Sequence, residues 1–213
     1  MISILKKLFL AVILAGISVA ANADNTGMYI YGDIGQALET LPQGQINSVF
    51  TSMGVTNIVS TTNSNPFAYK LQVGYQFNQF WAIEAGYTAV NDLRYSGTGN
   101  YGSIPGSATG AENSNIWDLV AAGTLPFGAG FSGTGRLGVS SVHMADTGTL
   151  FYPGGTATAS IDGSKAAYTY GIGLKYDINT KFSLRADVDN YNSPVASGIA
   201  RFDVWALGIG YNF

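Results

Sequence analysis

Over most of this chain, bulky apolar side chains recur at every second position, and small or polar residues fill the positions between them. The run at the C-terminus is the cleanest case. Trp205, Leu207, Ile209, Tyr211 and Phe213 alternate there with Val204, Ala206, Gly208, Gly210 and Asn212. A period of two belongs to a β-strand, whose successive side chains point to opposite faces of a sheet.

Seven earlier segments carry the same alternation. Between 28 and 38 it is weak, with Ile30 and Ile34 on one face and Tyr31 and Asp33 on the other. Next, Phe67, Tyr69, Leu71, Val73, Tyr75 and Phe77 oppose Ala68, Lys70, Gln72, Gly74 and Gln76. Trp81, Ile83, Ala85 and Tyr87 oppose Ala82, Glu84, Gly86 and Thr88, and Trp117, Leu119, Ala121 and Leu125 oppose Asp118, Val120, Ala122 and Thr124. Phe131, Leu137 and Val139 stand against Ser132, Thr134, Arg136 and Ser140. Tyr168, Tyr170, Ile172, Leu174 and Tyr176 stand against Thr169, Gly171, Gly173 and Lys175. Phe182, Leu184, Ala186 and Val188 stand against Ser183, Arg185, Asp187 and Asp189.

A soluble sheet buries its apolar face, yet this chain has too little helical pattern to cover one. A closed barrel in lipid turns that face outward. The pattern therefore predicts an all-β fold, an eight-stranded antiparallel up-and-down transmembrane β-barrel. The competing architecture is a small soluble barrel, which would carry the apolar alternation inside and its charges outside.

The connections alternate in length. Asn78-Gln79, Pro126 to Gly130 and Asp177 to Thr180 read as tight turns. The stretches 39–65, 91–113 and 143–164 read as long loops rich in Gly, Ser, Thr and Asn, with a shorter one near 192–198. Short turns on one rim and long loops on the other put the tight turns and both termini in the periplasm. Aromatics should form girdles at the two interfaces. Tyr75, Phe77, Trp81, Phe127, Phe131, Tyr176, Phe182, Tyr211 and Phe213 stand at the tight-turn ends of the strands. Phe67, Tyr69, Tyr87, Trp117, Tyr168, Tyr170, Tyr191 and Phe202 stand at the other ends.

The first 23 residues read as a secretory leader: Lys6 and Lys7, an apolar run from Leu8 to Ala20, then Ala21-Asn22-Ala23 as a small-residue cleavage site. The expected organisation is a leader over 1–23 and one barrel domain over 24–213. No cysteine follows the apolar run, so a lipoprotein anchor is excluded, and Ile2 excludes N-myristoylation. Without its leader the chain carries 8 Lys+Arg against 13 Asp+Glu, a net charge near -5. That acidity argues against a nucleic-acid partner. Charged residues are only 11%, low for a soluble surface. With no cysteine, thiolate metal sites are excluded, and the lone His143 cannot build a polyhistidine site; no metal or cofactor is expected.

By phase, Lys70, Glu84, Asp118, Arg136, Lys175, Arg185 and Asp187 point into the lumen. Unpaired ions there would be costly, so pairing is expected. One reading is a structural plug of salt bridges. The other is a narrow gated pore whose pairs switch. Eight strands enclose little more than side-chain room, which excludes a wide diffusion porin. His143, beside Ser140 and Ser141 and three residues from Asp146, is the one candidate for hydrolytic chemistry. A hydrolase needs a nucleophile, a base and an orienting group in one place, and nothing in the sequence fixes that geometry, so no enzyme is expected.

The segment from Leu71 to Tyr87, LQVGYQFNQFWAIEAGY, resembles a hairpin of the OmpA-type transmembrane domain. Arg136-Leu137-Gly138 and the stretches Tyr170 to Tyr176 and Ser183 to Asp187 are similar to the same family. The resemblance covers the strands and none of the loops. It implies an interior ion network with Glu84 and Arg136 at matching places. The family's periplasmic peptidoglycan-binding domain has no counterpart here, so a cell-wall tether does not carry over. The C-terminal Gly208, Tyr211 and Phe213 resemble the signal by which outer-membrane barrels are recognised for assembly. That implies the barrel assembly machinery and periplasmic chaperones as biogenesis partners, and outer-membrane lipid and lipopolysaccharide as surroundings. The expected location is the outer membrane of a Gram-negative-type bacterium. The expected function is structural and surface interaction through the long loops, with host or phage surfaces as candidate ligands. The alternative is a low-conductance pore for ions or small solutes.

Overall fold

The computed structural model describes residues 26–40, 47, 50–52, 54–62, 65–195 and 198–213. The expected leader, residues 1–23, lies outside the described residues. Nine strands run through them: β1 (Gly27–Thr40), β2 (Val55–Thr62), β3 (Phe67–Gln76), β4 (Trp81–Tyr101), β5 (Ile104–Gly128), β6 (Phe131–Tyr152), β7 (Gly155–Asp177), β8 (Phe182–Val195) and β9 (Gly198–Asn212). Eight of them form an antiparallel ring, β1-β3-β4-β5-β6-β7-β8-β9, closed by the pairing of β9 with β1. Closure satisfies the backbone ladder on both sides of each strand, the condition for crossing lipid with sheet.

Local chemistry closes the tight turns. Asn78 Oδ1 accepts from the N–H groups of Phe80 and Trp81 at 2.8 and 3.0 Å. Asn179 Oδ1 accepts from Lys181 and Phe182, both at 2.8 Å. Each asparagine thus replaces a backbone turn bond with its side chain. The third turn needs left-handed backbone at Gly128, Ala129 and Gly130 (φ 96°, 52° and 82°). Two of the three positions are glycine, which adopts that region without strain. The described beginning of β1 and the end of β9 lie on the same rim as these turns, since Tyr29 pairs with Asn212 and Gly27 with Gln76.

The outward face is apolar and bare, as the alternation requires. Ile34, Leu119, Leu137, Ile172, Leu174, Leu184 and Leu207 are all exposed, Leu207 at 67%. Burying these in lipid rather than protein is what gives a one-sided apolar sheet a stable environment. Leu207→Arg, near mid-barrel between Ile34 and Ala186, is expected to cost about 2–4 kcal/mol. Urea titration of the lipid-refolded chain reads this directly.

Two expectations need correction. The stretches 91–113 and 143–164 are not irregular loops. They are continuations of β4 into β5 and of β6 into β7, paired up to Tyr101↔Ile104 and Tyr152↔Gly155. Part of 39–65 forms β2, which lies antiparallel to the upper half of β4. The parity of β5 and β6 runs unbroken into these segments, but their Thr, Ser, Ala and Gly side chains carry too little hydrophobic contrast to show it. The second correction concerns the upper girdle. Tyr191 and Phe202 are inside the barrel, 1% and 0% exposed. Tyr191 has the phase of Asp187 and Asp189, and Phe202 that of Val204, so parity marks both as inward.

Candidate functional site

One strand shows how the lumen is layered. The inward residues of β5, read from the tight-turn rim, are Ala122, Val120, Asp118, Ile116, Ser114, Glu112, Gly110 and Ala108. Ala122 joins Tyr29, Tyr31 and Ala82 in a small apolar layer. Asp118 belongs to an ionic layer. Ile116 packs with Val90, Val142, Met144, Tyr191, Phe202 and Val204 in a second apolar layer that crosses the lumen. Glu112 and Ser114 stand beyond it, and Ala108 joins Phe50, Val55, Tyr95 and Leu150 at the top.

The ionic layer is built around two arginines. Arg136 on β6 reaches Asp187 at 2.6 Å, Asp189 at 3.2 Å and Glu84 at 3.8 Å. Arg185 on β8 reaches Asp33 at 3.2 Å, Glu84 at 3.4 Å and Asp187, and its guanidinium lies 3.9 Å over the Tyr31 ring. Lys70 on β3 pairs with Asp189. Gln72 bridges the two arginines through Oε1, and Tyr29 donates to Glu84 at 2.7 Å. The Tyr191 hydroxyl donates to Asp118 at 3.4 Å. Buried this deeply, each carboxylate depends on the donors around it.

Of the seven charges placed inside by phase, six are buried here: Lys70, Glu84, Asp118, Arg136, Arg185 and Asp187. Lys175 is not in the layer. It stands at the tight-turn mouth, paired with Asp177 at 2.9 Å and partly open to water. Two further members are Asp33 and Asp189, both buried. Asp189 has the phase of Arg185 and Asp187, and Asp33 sits in the weakly patterned first segment, so parity was the available signal for both. Three cations therefore meet five carboxylates.

Glycine makes the room. A Cβ on Gly208 would overlap the carboxylate of Asp33, and one on Gly173 would overlap that of Asp187. The inward glycines are seats for the neighbouring strand's acids, a close-approach role. Tyr211 packs edge-on against Phe182 and Phe213, and the Phe213 N–H donates to Met28 at 3.0 Å.

Below the ionic layer a cavity of about 660 Å³ opens at the tight-turn rim. It ends at Glu84, Arg136 and Arg185. Above the barrel, β2, β4, β5, β6 and β7 continue as a five-stranded sheet. The outward face turns polar there, with Asn113, Asn115 and His143 following Trp117 and Val139. His143 Nδ1 lies 3.0 Å from Ser164 Oγ. Asp146 is on the opposite face and Ser140 is bonded to Thr169, so the suspected Ser/His/Asp set is not assembled. On the inner face of this sheet burial pushes the Asp146 carboxyl above its ordinary value, and the neighbouring Glu112 offsets part of that rise. Burial, with Asp146 and Glu112 adding to it, pushes the Tyr95 phenol up.

A closed eight-stranded sheet, apolar outside and packed with ion pairs inside, defines a small transmembrane barrel of the outer-membrane type. The chain belongs to the outer membrane protein beta-barrel domain family, whose sequence profile matches residues 8–213. It is 29% identical over 236 aligned residues to an uncharacterized protein of Coxiella burnetii, covering 94% of this chain and 92% of that one. It is 26% identical over 164 residues to the 31 kDa outer-membrane immunogenic protein of Brucella melitensis biotype 1, covering 69% of this chain and 66% of that protein. Among solved structures it shares its fold with Ail, the attachment invasion locus protein of Yersinia pestis. The TM-score is 0.55 at 17% identity, covering 90% of this chain and all of that one. The protein is thus an outer-membrane barrel.

Proposed function

We propose that the protein is a non-enzymatic surface-interaction protein. The barrel is its anchor, and the five-stranded sheet beyond the barrel is its working part. In this reading the tight turns and both termini face the periplasm, residues 1–23 are a cleaved leader, and Gly208, Tyr211 and Phe213 guide assembly in outer-membrane lipid and lipopolysaccharide. The observation that carries it is the open rim of that sheet. Among the described residues, β7 pairs with β8 only from Tyr168↔Asn192 downward. The edge from Gly155 to Ala167 therefore offers unpaired backbone groups to an arriving chain, as does the free side of β2. Exposed Val59, Tyr101, Ile104, Phe151 and Ile161 stand on the same sheet. The Brucella relative's name, an immunogenic outer-membrane protein, agrees with display at the surface.

A pore is less well supported. The cavity at the tight-turn rim is closed by the arginine layer and then by the apolar layer around Ile116 and Phe202.

The chain has no cysteine, so single thiols report topology cleanly. Thr158→Cys on intact cells is expected to react with a membrane-impermeant maleimide, and Gln79→Cys only after the outer membrane is opened. The reverse pattern contradicts the orientation. Trimming 97–108 and 147–160 to short turns is expected to abolish adhesion of expressing cells to host-cell monolayers while leaving a heat-modifiable barrel. Unchanged adhesion contradicts the surface role.

A further inference from the structure

The inner face of the sheet beyond the barrel holds two acids that neither the ionic layer nor the surface role uses. Glu112 on β5 and Asp146 on β6 are direct cross-strand partners. They are 1% and 8% exposed, and as direct cross-strand partners on one face their carboxyl groups are neighbours. Ser114, two residues along the same face, donates to Glu112 Oε1 at 2.9 Å. Two carboxyl groups in contact inside a poorly hydrated sheet repel each other once both are ionised. A proton or a cation standing between them relieves that repulsion.

The tyrosine next to them points to the cation. Tyr95 is 3% exposed, and its hydroxyl has no hydrogen-bond partner. Its ring lies across Gly110, where a Cβ would overlap it, and the next residue in register on β6 is Gly148. The two glycines keep the path from Tyr95 toward β6 clear, and Asp146 and Glu112 are the charges that act on its hydroxyl. An isolated buried hydroxyl is costly unless something occupies the space in front of it. The apolar layer of Ile116, Val142 and Met144 closes this compartment below, and Leu150 with Phe50 closes it above. Glu112 is five residues beyond the girdle residue Trp117, about 17 Å along the strand, and so stands clear of the bilayer.

We propose that Glu112, Asp146, Ser114 and Tyr95 form a binding site for a hard divalent cation, calcium first among them. All of its donors are oxygen. Calcium accepts carboxylates and hydroxyls in irregular arrangements, whereas magnesium holds its own waters and demands a stricter octahedron. The bound ion ties β5 to β6 and fixes the sheet that the barrel presents. Extracellular calcium modules work at a Kd on the order of 10⁻⁴–10⁻³ M, and this site belongs in that range.

The test uses the full barrel domain refolded in lipid. Calorimetric titration with calcium chloride at neutral pH is expected to show one saturable site per chain, with magnesium at least tenfold weaker. Terbium bound there takes excitation energy from Tyr95. Its tyrosine-sensitised emission is expected to be displaced by calcium and to fall severalfold in Tyr95→Phe. The pair Glu112→Gln with Asp146→Asn is expected to abolish both signals while the barrel remains heat-modifiable. Should that pair fail to fold, Ser114→Ala is the second variant, expected to weaken calcium about tenfold. No saturable calcium binding in the wild type overturns the proposal and leaves the pair holding a proton only. Binding that survives the double substitution overturns it equally, by placing the ion elsewhere.

Discussion

Arg136→Met is expected to destabilise the barrel by about 3–5 kcal/mol, the scale for stranding buried charges by removing one partner. Arg136 touches Asp187, Asp189 and Glu84 and donates to Gln72 Oε1. Without it the layer holds five carboxylates against Lys70 and Arg185. Arg185 already serves Asp33, Glu84 and Asp187, so it cannot take over all of Arg136's partners without leaving its own. The methionine fills the volume, which isolates the electrostatic part of the loss. Adding Asp189→Asn to Arg136→Met should recover part of it, because one stranded charge is removed. Lys175→Met is the control. Its pair with Asp177 stands at the wet mouth, where such pairs contribute about 0–1 kcal/mol. Urea titration followed by the mobility of unheated samples measures all three variants. Equal losses at Arg136 and Lys175 would contradict the layered interior.

Phe202→Ala is expected to cost about 3–5 kcal/mol through the cavity it leaves in the apolar layer. Phe202 is wholly buried among Ile116, Val142, Tyr191 and Val204. Phe202→Leu keeps most of the volume and should lose less than about 1.5 kcal/mol. Trp205→Ala, three residues on, removes a larger side chain from the lipid face and leaves the layer intact. A smaller loss at Phe202 than at Trp205 would mean that the lumen above the ions is loosely filled. The same urea series decides it.

The barrel was legible because period-two alternation survives wherever one face meets lipid. Trp205 to Phe213 and Phe67 to Phe77 announce both strand and face. The ionic layer was mostly legible for the same reason: a charge on the inward phase of a lipid-facing strand has nowhere else to go. Asp33 was missed because its strand begins with Tyr29 and Tyr31, aromatic residues that point inward and blur the contrast. Lys175 shares the inward phase, but phase carries no depth, and its rung lies at the mouth. The sheet beyond the barrel was hidden for a different reason. Once the outward face meets water instead of lipid, its residues need no longer be apolar, and strands of Thr, Ser and Ala read like loops. In β4 the phase also shifts. An irregularity between Val90 and Leu93 turns Leu93 and Tyr95 inward where Ala82 to Val90 had set the even positions inside. Only the tertiary pairing shows that Tyr95, Glu112 and Asp146 share one compartment.

The central claim is that this barrel is closed along its length, by an ionic layer and an apolar layer stacked in the same lumen. Planar-bilayer recording from the wild-type chain tests it most directly, on samples whose heat-modifiable band proves folding. The account predicts no conductance above the bare bilayer at either polarity. Stable single-channel steps from the wild type, altered in size by Glu84→Gln, would contradict it and establish a pore through the arginine layer.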